Sequence, residues 1–291
     1  MAEAPTHIET AAENPTLIKP AVQNLLIEPL QAASVVLSLP GVKVFNSADP
    51  IIVPTLTTQD TNPGWFGQGE LITPNPDVDF GELSLMPTDM ASLKTISVVS
   101  NELIRQANAV NIEAVLRAKL VGDVTNKLDN VLLLGDGAPT ASGAKTPRGL
   151  LAQEGTQVVK ADPTSPDGLL AGVAAMAAKE VKPTVALMNG QDFFKMAGLK
   201  DADGRYLVQP DATRAMGYTL HGVSITVSNK VPAGTLALVD ASNVAIVRDL
   251  NSEVTILKEA YADRDSTGIR VVTRYDLGLL RPEAVLLVKA A

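Results

Sequence analysis

Apolar residues recur at three- and four-residue steps along one long stretch of this chain: Leu103, Ile104, Ala107, Val110, Val115, Leu116, Leu120, Val124, Leu128, Val131 and Leu132. That spacing lines one face of a helix. Ser100 suits an N-cap, Glu102 places negative charge in the first turn, and Gly135-Asp136-Gly137 supplies a stop. About 35 residues at 1.5 Å each make a rod of roughly 50 Å, longer than a compact domain of this size needs. One end or one face is expected to act as a spine.

Ahead of this helix the pattern changes three times. Residues 1–20 are polar and broken by Pro5, Pro15 and Pro20, which predicts a flexible arm. Residues 21–39 are more apolar and predict a short helix and strand ending at Pro40-Gly41. Val44, Ile51, Ile52 and Val53 sit between turn residues as a β-strand would have them. Residues 54–93 hold Pro54, Pro63, Pro74, Pro76 and Pro87 with Gly64, Gly67, Gly69 and Gly81. Leu71, Ile72, Val78, Phe80, Leu83 and Leu85 nevertheless fall at intervals a strand can use. The segment reads as a two-stranded excursion with its tip near residues 61–77. A lone hairpin is marginal in water. It is therefore expected to lie against another subunit.

After the long helix, residues 165–180 predict an alanine-rich helix capped by Ser165 and ended before Pro183. Thr184 to Met188 predict a short buried strand, and Gln191 to Ala197 another helix. Strands are expected at 218–228, 234–240 and 243–248. A strand pair, Glu253 to Tyr261 and Gly268 to Tyr275, should flank Asp263-Arg264-Asp265, and Ala284 to Val288 should close the chain. This is an α+β layout, with helices on a mostly antiparallel sheet.

Composition narrows the function. Aromatic residues make up 3% of the chain, so the cores must be aliphatic and stacking platforms for single-stranded nucleic acid are scarce. The net charge of -8 argues against gripping DNA through its phosphates, though not against enclosing it. There is no cysteine, which removes disulfides and thiolate chemistry and fits a reducing compartment. Met1 to Pro20 lacks the apolar run of a signal peptide, and no apolar stretch is long enough to span a membrane.

Candidate chemistry is thin. Gly137 to Thr146 resembles a phosphate loop loosely, but Ala144 interrupts it and it follows a helix where the motif needs a strand, so a mobile loop is expected. Asp201-Ala202-Asp203-Gly204 opens like a calcium loop without the later ligands, and an Asp-Gly turn explains it better. His7 and His221 have no metal or catalytic spacing, and His221-Gly222 reads as a turn. Asp263, Arg264, Asp265, Arg270, Arg274 and Asp276 crowd both signs of charge into one window. A salt-bridge network at a subunit boundary is the preferred reading, with plain solvation as the alternative. No catalytic residue, cofactor or metal is assigned, and the chain is not expected to be an enzyme.

The order of parts from about residue 21 onward resembles the major capsid protein of tailed bacteriophages, with the Hong-Kong-97-like head fold also found in encapsulins. The strings that carry it are Ser100-Asn101-Glu102-Leu103, Leu134-Gly135-Asp136-Gly137 with Pro147-Arg148-Gly149-Leu150-Leu151, and Leu199 to Leu207. Asp265 to Arg270 through Arg281-Pro282-Glu283-Ala284 completes them, and Gly64-Trp65-Phe66-Gly67-Gln68-Gly69-Glu70 resembles the aromatic-then-Glu-Gly part of an extended loop.

The resemblance implies an N-terminal arm (1–40), an extended β-hairpin loop (54–93), a spine-helix peripheral domain (41–53, 94–160, 246–280) and an axial α+β domain (161–245, 281–291). It implies pentamers and hexamers in an icosahedral virion, enclosing double-stranded DNA and assembled in the host bacterial cytoplasm. A separate scaffolding protein and a decoration protein are expected as partners, and no membrane. Trp65, Phe66, Glu70, Arg264, Asp265, Arg270, Arg274 and Asp276 are the expected intersubunit contacts. Some relatives cross-link subunits through a lysine of the extended loop. Between Lys43 and Lys94 this chain has none, so no such bond is expected there. The competing readings are an encapsulin compartment, another phage structural protein such as a tail tube, and a hydrolase without a familiar motif.

Overall fold

In the computed structural model, the described residues are 34–56, 65–69, 80–102, 112–204, 218–250, 252–257 and 259–290, with Leu30, Leu71, Tyr206 and Val208 as single positions. The arm at 1–20, most of the excursion tip with Glu70, and the helix segment 103–111 lie outside them.

The elements in chain order are β1 (Lys43–Ser47), β2 (Ile51–Leu56), β3 (Phe80–Leu85), β4 (Leu93–Ser100), α1 (Ile112–Leu134), β5 (Gln157–Lys160), α2 (Pro166–Ala177), β6 (Val185–Met188) and α3 (Gly190–Ala197). They continue as β7 (Tyr218–Leu220), β8 (Val223–Val227), β9 (Thr235–Val239), β10 (Val244–Asp249), β11 (Glu253–Leu257), β12 (Ser266–Thr273), β13 (Tyr275–Leu279) and β14 (Val285–Lys289).

The strands form four sheets. The largest is six-stranded, in the order β5-β14-β9-β6-β8-β7. It is mixed rather than mostly antiparallel, because β14 runs parallel to β5 and β6 parallel to β8. Strands β1-β10-β13 and β11-β12-β4 make two three-stranded sheets, and β2-β3 is a hairpin.

Strand alternation divides the interior into three cores. On one face of the six-stranded sheet, Ala186, Met188, Leu236, Leu238, Leu286 and Val288 meet α2 and α3 through Leu169, Met176, Phe193 and Met196. Val185, Leu187, Ala237, Val239, Val285 and Leu287 on the other face join the core around α1. There α1 contributes Leu120, Val121, Val124, Leu128, Leu132 and Leu133, the stripe that the helical period requires. The third core lies under the hairpin root and contains Leu85, Met86, Met90, Ala245 and Val247.

Local chemistry sets the helix ends. The Ser100 hydroxyl accepts the Glu102 amide, and residues 101 and 102 are already helical, as a cap there should make them. Ser165 caps α2 by accepting from the Asp167 amide, and Asn189 caps α3 through Gln191. At the end of α1, the Gly135 amide donates to the Val131 carbonyl, and the Gly135 carbonyl accepts the Gly149 amide at 2.8 Å. A Cβ on Gly149 would stand 2.5 Å from the Leu133 carbonyl carbon and from the Gly135 nitrogen. The chain returns so tightly across the helix end that only glycine fits.

Other expectations need correction. Residues 34–39 form turns rather than a strand, because Val36 and Leu39 plug into the α1 core individually. The Gly137–Thr146 stretch is an ordered miniature hairpin, not a mobile loop. Thr140 donates its amide to the Ala144 carbonyl, and Thr146 donates both its amide and its hydroxyl to the Ala138 carbonyl.

Candidate assembly surface

Strands β2 and β3 form a two-stranded hairpin of their own. β2 and β3 pair antiparallel from Ile51↔Leu85 to Leu56↔Phe80. Six residues at about 3.4 Å each carry the far end roughly 20 Å from the root. Ile51, Val53 and Leu83 turn towards the body, whereas Ile52 on the opposite face is exposed. Proline is tolerated at Pro54 because this sheet has only two strands, leaving each with an outer edge.

The root is seated with care. Leu83 and Leu85 press on Gly278 of β13, where a Cβ would meet Leu85 Cδ2 at 2.7 Å. Met86 turns the chain out of β3 with a φ of +56°, and its amide donates to Asp276 Oδ2 at 2.6 Å. Asp276 Oδ1 accepts the Leu277 amide at 2.8 Å. Burial raises the Asp276 carboxyl above its ordinary pKa, opposed by these two backbone donors. Asp276 was expected at a subunit boundary; it is instead an internal anchor for the hairpin. The reason is that every residue of β13 is buried, so strand alternation gives Asp276 no route to the surface.

At the tip, Trp65 is fully exposed, with Phe66 and Leu71 also in solvent. Glu70 lies outside the described residues. The charge of this region is one-sided. Residues 44–93 carry Asp49, Asp60, Glu70, Asp77, Asp79, Glu82 and Asp89 but neither lysine nor arginine. Asp89 at the base meets Lys145 at 3.0 Å, and that hydrogen bond holds its carboxyl below the usual range.

The β11-β12-β4 sheet offers a second exposed surface. Ile96, Val98 and Ile256 are all about half exposed or more. Arg270 sits opposite Ile96 and Thr255 in the ladder and reaches Glu253 Oε2 at 3.4 Å. Asp265 accepts from Asn101 Nδ2 at 2.7 Å, so it staples the β12 entry to the helix start. Arg264 pairs with Asp263 at 3.7 Å in the open. Arg274 donates to the Ser92 hydroxyl. Within the subunit these residues thus meet Glu253 (Arg270), Asn101 (Asp265), Asp263 (Arg264) and Ser92 (Arg274). The Asp276–Met86 anchor had no signal in the sequence beyond an acidic residue inside an apolar run.

The discarded motifs fold as turns. Asp201 Oδ1 accepts the Asp203 amide, and Gly204 has a φ of +80°. His221 and Gly222, at φ +50° and +81°, close the two-residue turn between β7 and β8. Among the described residues no group of three histidines or carboxylates could hold a metal, and no helix is long and apolar enough to cross a membrane.

A long helix, a separate β2–β3 hairpin with exposed apolar residues between its strands, and a six-stranded sheet flanked by helices make up the described architecture. The chain belongs to the Phage capsid family, whose sequence profile matches residues 15–290. Among solved structures, it is similar to the capsid of the native GTA particle, at 19% identity over 86% of this chain and 88% of that one, with a TM-score of 0.67. The corresponding figures for Mycobacterium phage Bobi are 20%, 98% and 99%, with a TM-score of 0.65. For Microbacterium phage Oxtober96 they are 17%, 89% and 91%, with a TM-score of 0.66. No curated protein matches the sequence. The protein is a structural subunit of a phage capsid; it self-associates into the shell and resides in the virion. The family match favours this over an encapsulin compartment.

Proposed function

We propose that the chain builds pentamers and hexamers around the domain of residues 161–245 and 281–291, while residues 41–53, 94–160 and 246–280 form the outlying wall. Residues 1–40 would be an arm, and residues 54–93 a clasp that overlaps a neighbouring subunit. The observation that carries this reading is the fully exposed Trp65 in the segment that joins the two strands of the β2–β3 hairpin. An indole left in water forfeits roughly 1.5–3 kcal/mol of burial, which a second copy can recover. Each such contact is modest, but a subunit held by several partners in a closed shell leaves only when all of them break.

Trp65, Phe66, Glu70, Arg264, Asp265, Arg270 and Arg274 are the contacts assigned between subunits. The shell encloses double-stranded DNA without reading its sequence. A chain of net charge -8 holds DNA loosely, which suits later release. Assembly in the bacterial cytoplasm with a separate scaffolding protein, and reinforcement by a decoration protein, complete the reading, which gives the chain no catalytic role. Negative-stain microscopy of purified wild-type protein and of a variant lacking residues 57–79 tests it. Shells from the wild type and none from the deletion are expected. Unaltered shells from the deletion would refute the clasp, and a stable wild-type monomer would refute the shell.

A further inference from the structure

We propose that Asp203–Gly204 is a site of spontaneous covalent modification, at which the aspartate rearranges through a cyclic imide to isoaspartate in the folded chain. This goes beyond the shell reading and does not depend on it.

The chemistry needs only two adjacent residues and water. The Gly204 nitrogen attacks Cγ of Asp203, so that a C–N bond forms and a C–O bond breaks. One carboxyl oxygen leaves as water, carrying the amide proton and the carboxyl proton. Water then adds back at either carbonyl of the five-membered ring. Opening at the main-chain carbonyl leaves the backbone running through the Asp203 β-carbon, with the composition unchanged. Glycine favours the attack, because no Cβ crowds its nitrogen and its backbone is the freest.

Four places in the chain put Asp or Asn before Gly, at 136–137, 167–168, 189–190 and 203–204. The fold locks three of them. Asn189–Gly190 is the most reactive pair by sequence, but Asn189 Oδ1 accepts the Gln191 amide at 3.0 Å and Nδ2 donates to the Val231 carbonyl at 2.8 Å. Gly190 is also buried as the first residue of α3. Gly168 is buried inside α2 and donates its amide to the Ser165 carbonyl. Asp136 Oδ1 accepts the Ala138 amide at 3.0 Å, its backbone pairs with Arg148, and the Arg148 side chain lies over Gly137.

The fourth pair is open. Asp203 and Gly204 are both exposed, and nothing lies within 4 Å of where a Cβ on Gly204 would stand. The Asp203 carboxyl has no bonding partner among the described residues. Two bonds hold the turn: the Asp203 amide donates to Asp201 Oδ1 at 2.9 Å, and the Gly204 amide to the Asp201 carbonyl at 3.1 Å. Bonds of an exposed turn open at far lower cost than those inside a helix or core. The turn closes the antiparallel Lys200–Tyr206 bridge, which the extra main-chain carbon would spread.

The test stores the purified protein in warm neutral buffer, folded or in denaturant, and then digests it. Electron-transfer fragmentation of the peptides distinguishes isoaspartate from aspartate at each pair. In the folded chain isoaspartate should accumulate at 203, while Asp136, Asp167 and Asn189 stay as they are. In denaturant the order should change, with Asn189 converting fastest. Asp203→Asn supplies a matched comparison, because it puts the same Asn-Gly pair at an open and a locked position of one molecule. Folded Asp203→Asn should lose its amide at 203 many-fold faster than at 189. Asp203→Glu should abolish the change, since its ring would have six members. Equal rates at 203 and 189 in folded Asp203→Asn would overturn the proposal. So would a folded wild-type chain whose Asp203 stays unaltered over the time in which the denatured chain converts.

Discussion

Lys230 Nζ lies 2.8 Å from Asp129 Oδ2, joining the turn after β8 to the C-terminal part of α1. Asp129 is completely buried, and the Ser34 hydroxyl and the Val35 amide also donate to it. Three separate stretches of chain thus converge on one carboxylate. Such a group is tolerable only while its donors are present. Lys230→Met should destabilise the dissociated subunit by about 3 kcal/mol, at the lower end for a broken buried pair because Ser34 and Val35 still donate. Asp129→Asn combined with Lys230→Met should cost less than the sum of the single changes, measured by denaturant unfolding. Additive losses would show that the two residues are not coupled.

The Gly149–Gly135 crossing predicts a sharp size limit. Gly149→Ala must push Cβ into backbone that has no rotamer to yield, so a loss of about 3 kcal/mol or more is expected, the top of the range for over-packing. Gly204→Ala is the control. Gly149 has an ordinary φ of -73°, so contact alone opposes its alanine, whereas Gly204 has a φ of +80° with nothing within 4 Å of the added carbon, and roughly 1 kcal/mol should be lost there. Equal losses in thermal unfolding would mean that the close backbone at Gly149 yields and that contact there costs no more than the strain at Gly204.

Asp276 gives a pH dependence with a definite sign. Its folded pKa is raised, so folding favours the protonated form. Its contribution is complete below the ordinary carboxylate range and is lost as pH rises through the raised value. Asp89, Glu154 and Asp162 are lowered, so their contributions are present at neutral pH and fade on acidification. The stability of wild type minus that of Asp276→Asn should therefore fall as pH climbs from about 4 towards neutrality. A flat or rising difference in unfolding midpoints would contradict the assignment.

Arg270 separates folding from assembly. Its bond to Glu253 lies at a partly exposed position, where such pairs contribute about 1 kcal/mol or less. Arg270→Glu should leave subunit unfolding nearly unchanged while reducing shell yield by sedimentation. Arg274 is less clean, because it is half-buried against Ser92. Normal shells from Arg270→Glu would remove Arg270 from the contact set.

How far the sequence could be read followed from periodicity. The α1 stripe, the β2–β3 excursion, both caps and the His221-Gly222 turn were legible, because each depends on residues near one another in the chain. Three strands were not. Leu93–Ser100 was hidden by its neighbours, since the excursion and the Ser100 cap between them accounted for the same residues. Gln157–Lys160 is a four-residue edge strand whose parallel partner lies at the other end of the chain. Tyr275–Leu279 holds Asp276 and Gly278, both poor strand formers. The acid accepts two amides there, and the glycine makes room for Leu83 and Leu85. Within the charged window only Arg270 and Asp276 lie on strands, while Asp263, Arg264, Asp265 and Arg274 sit in the connections before and between β12 and β13, so nearness in sequence did not fix their partners within the subunit.

The two sides of β10 belong to different interiors, with Val244 and Ile246 packed around α1 while Ala245 and Val247 lie under the hairpin root. If the hairpin clasps a neighbour as proposed, a pull on it would reach α1 through this one strand, because its alternate residues are held by the two interiors.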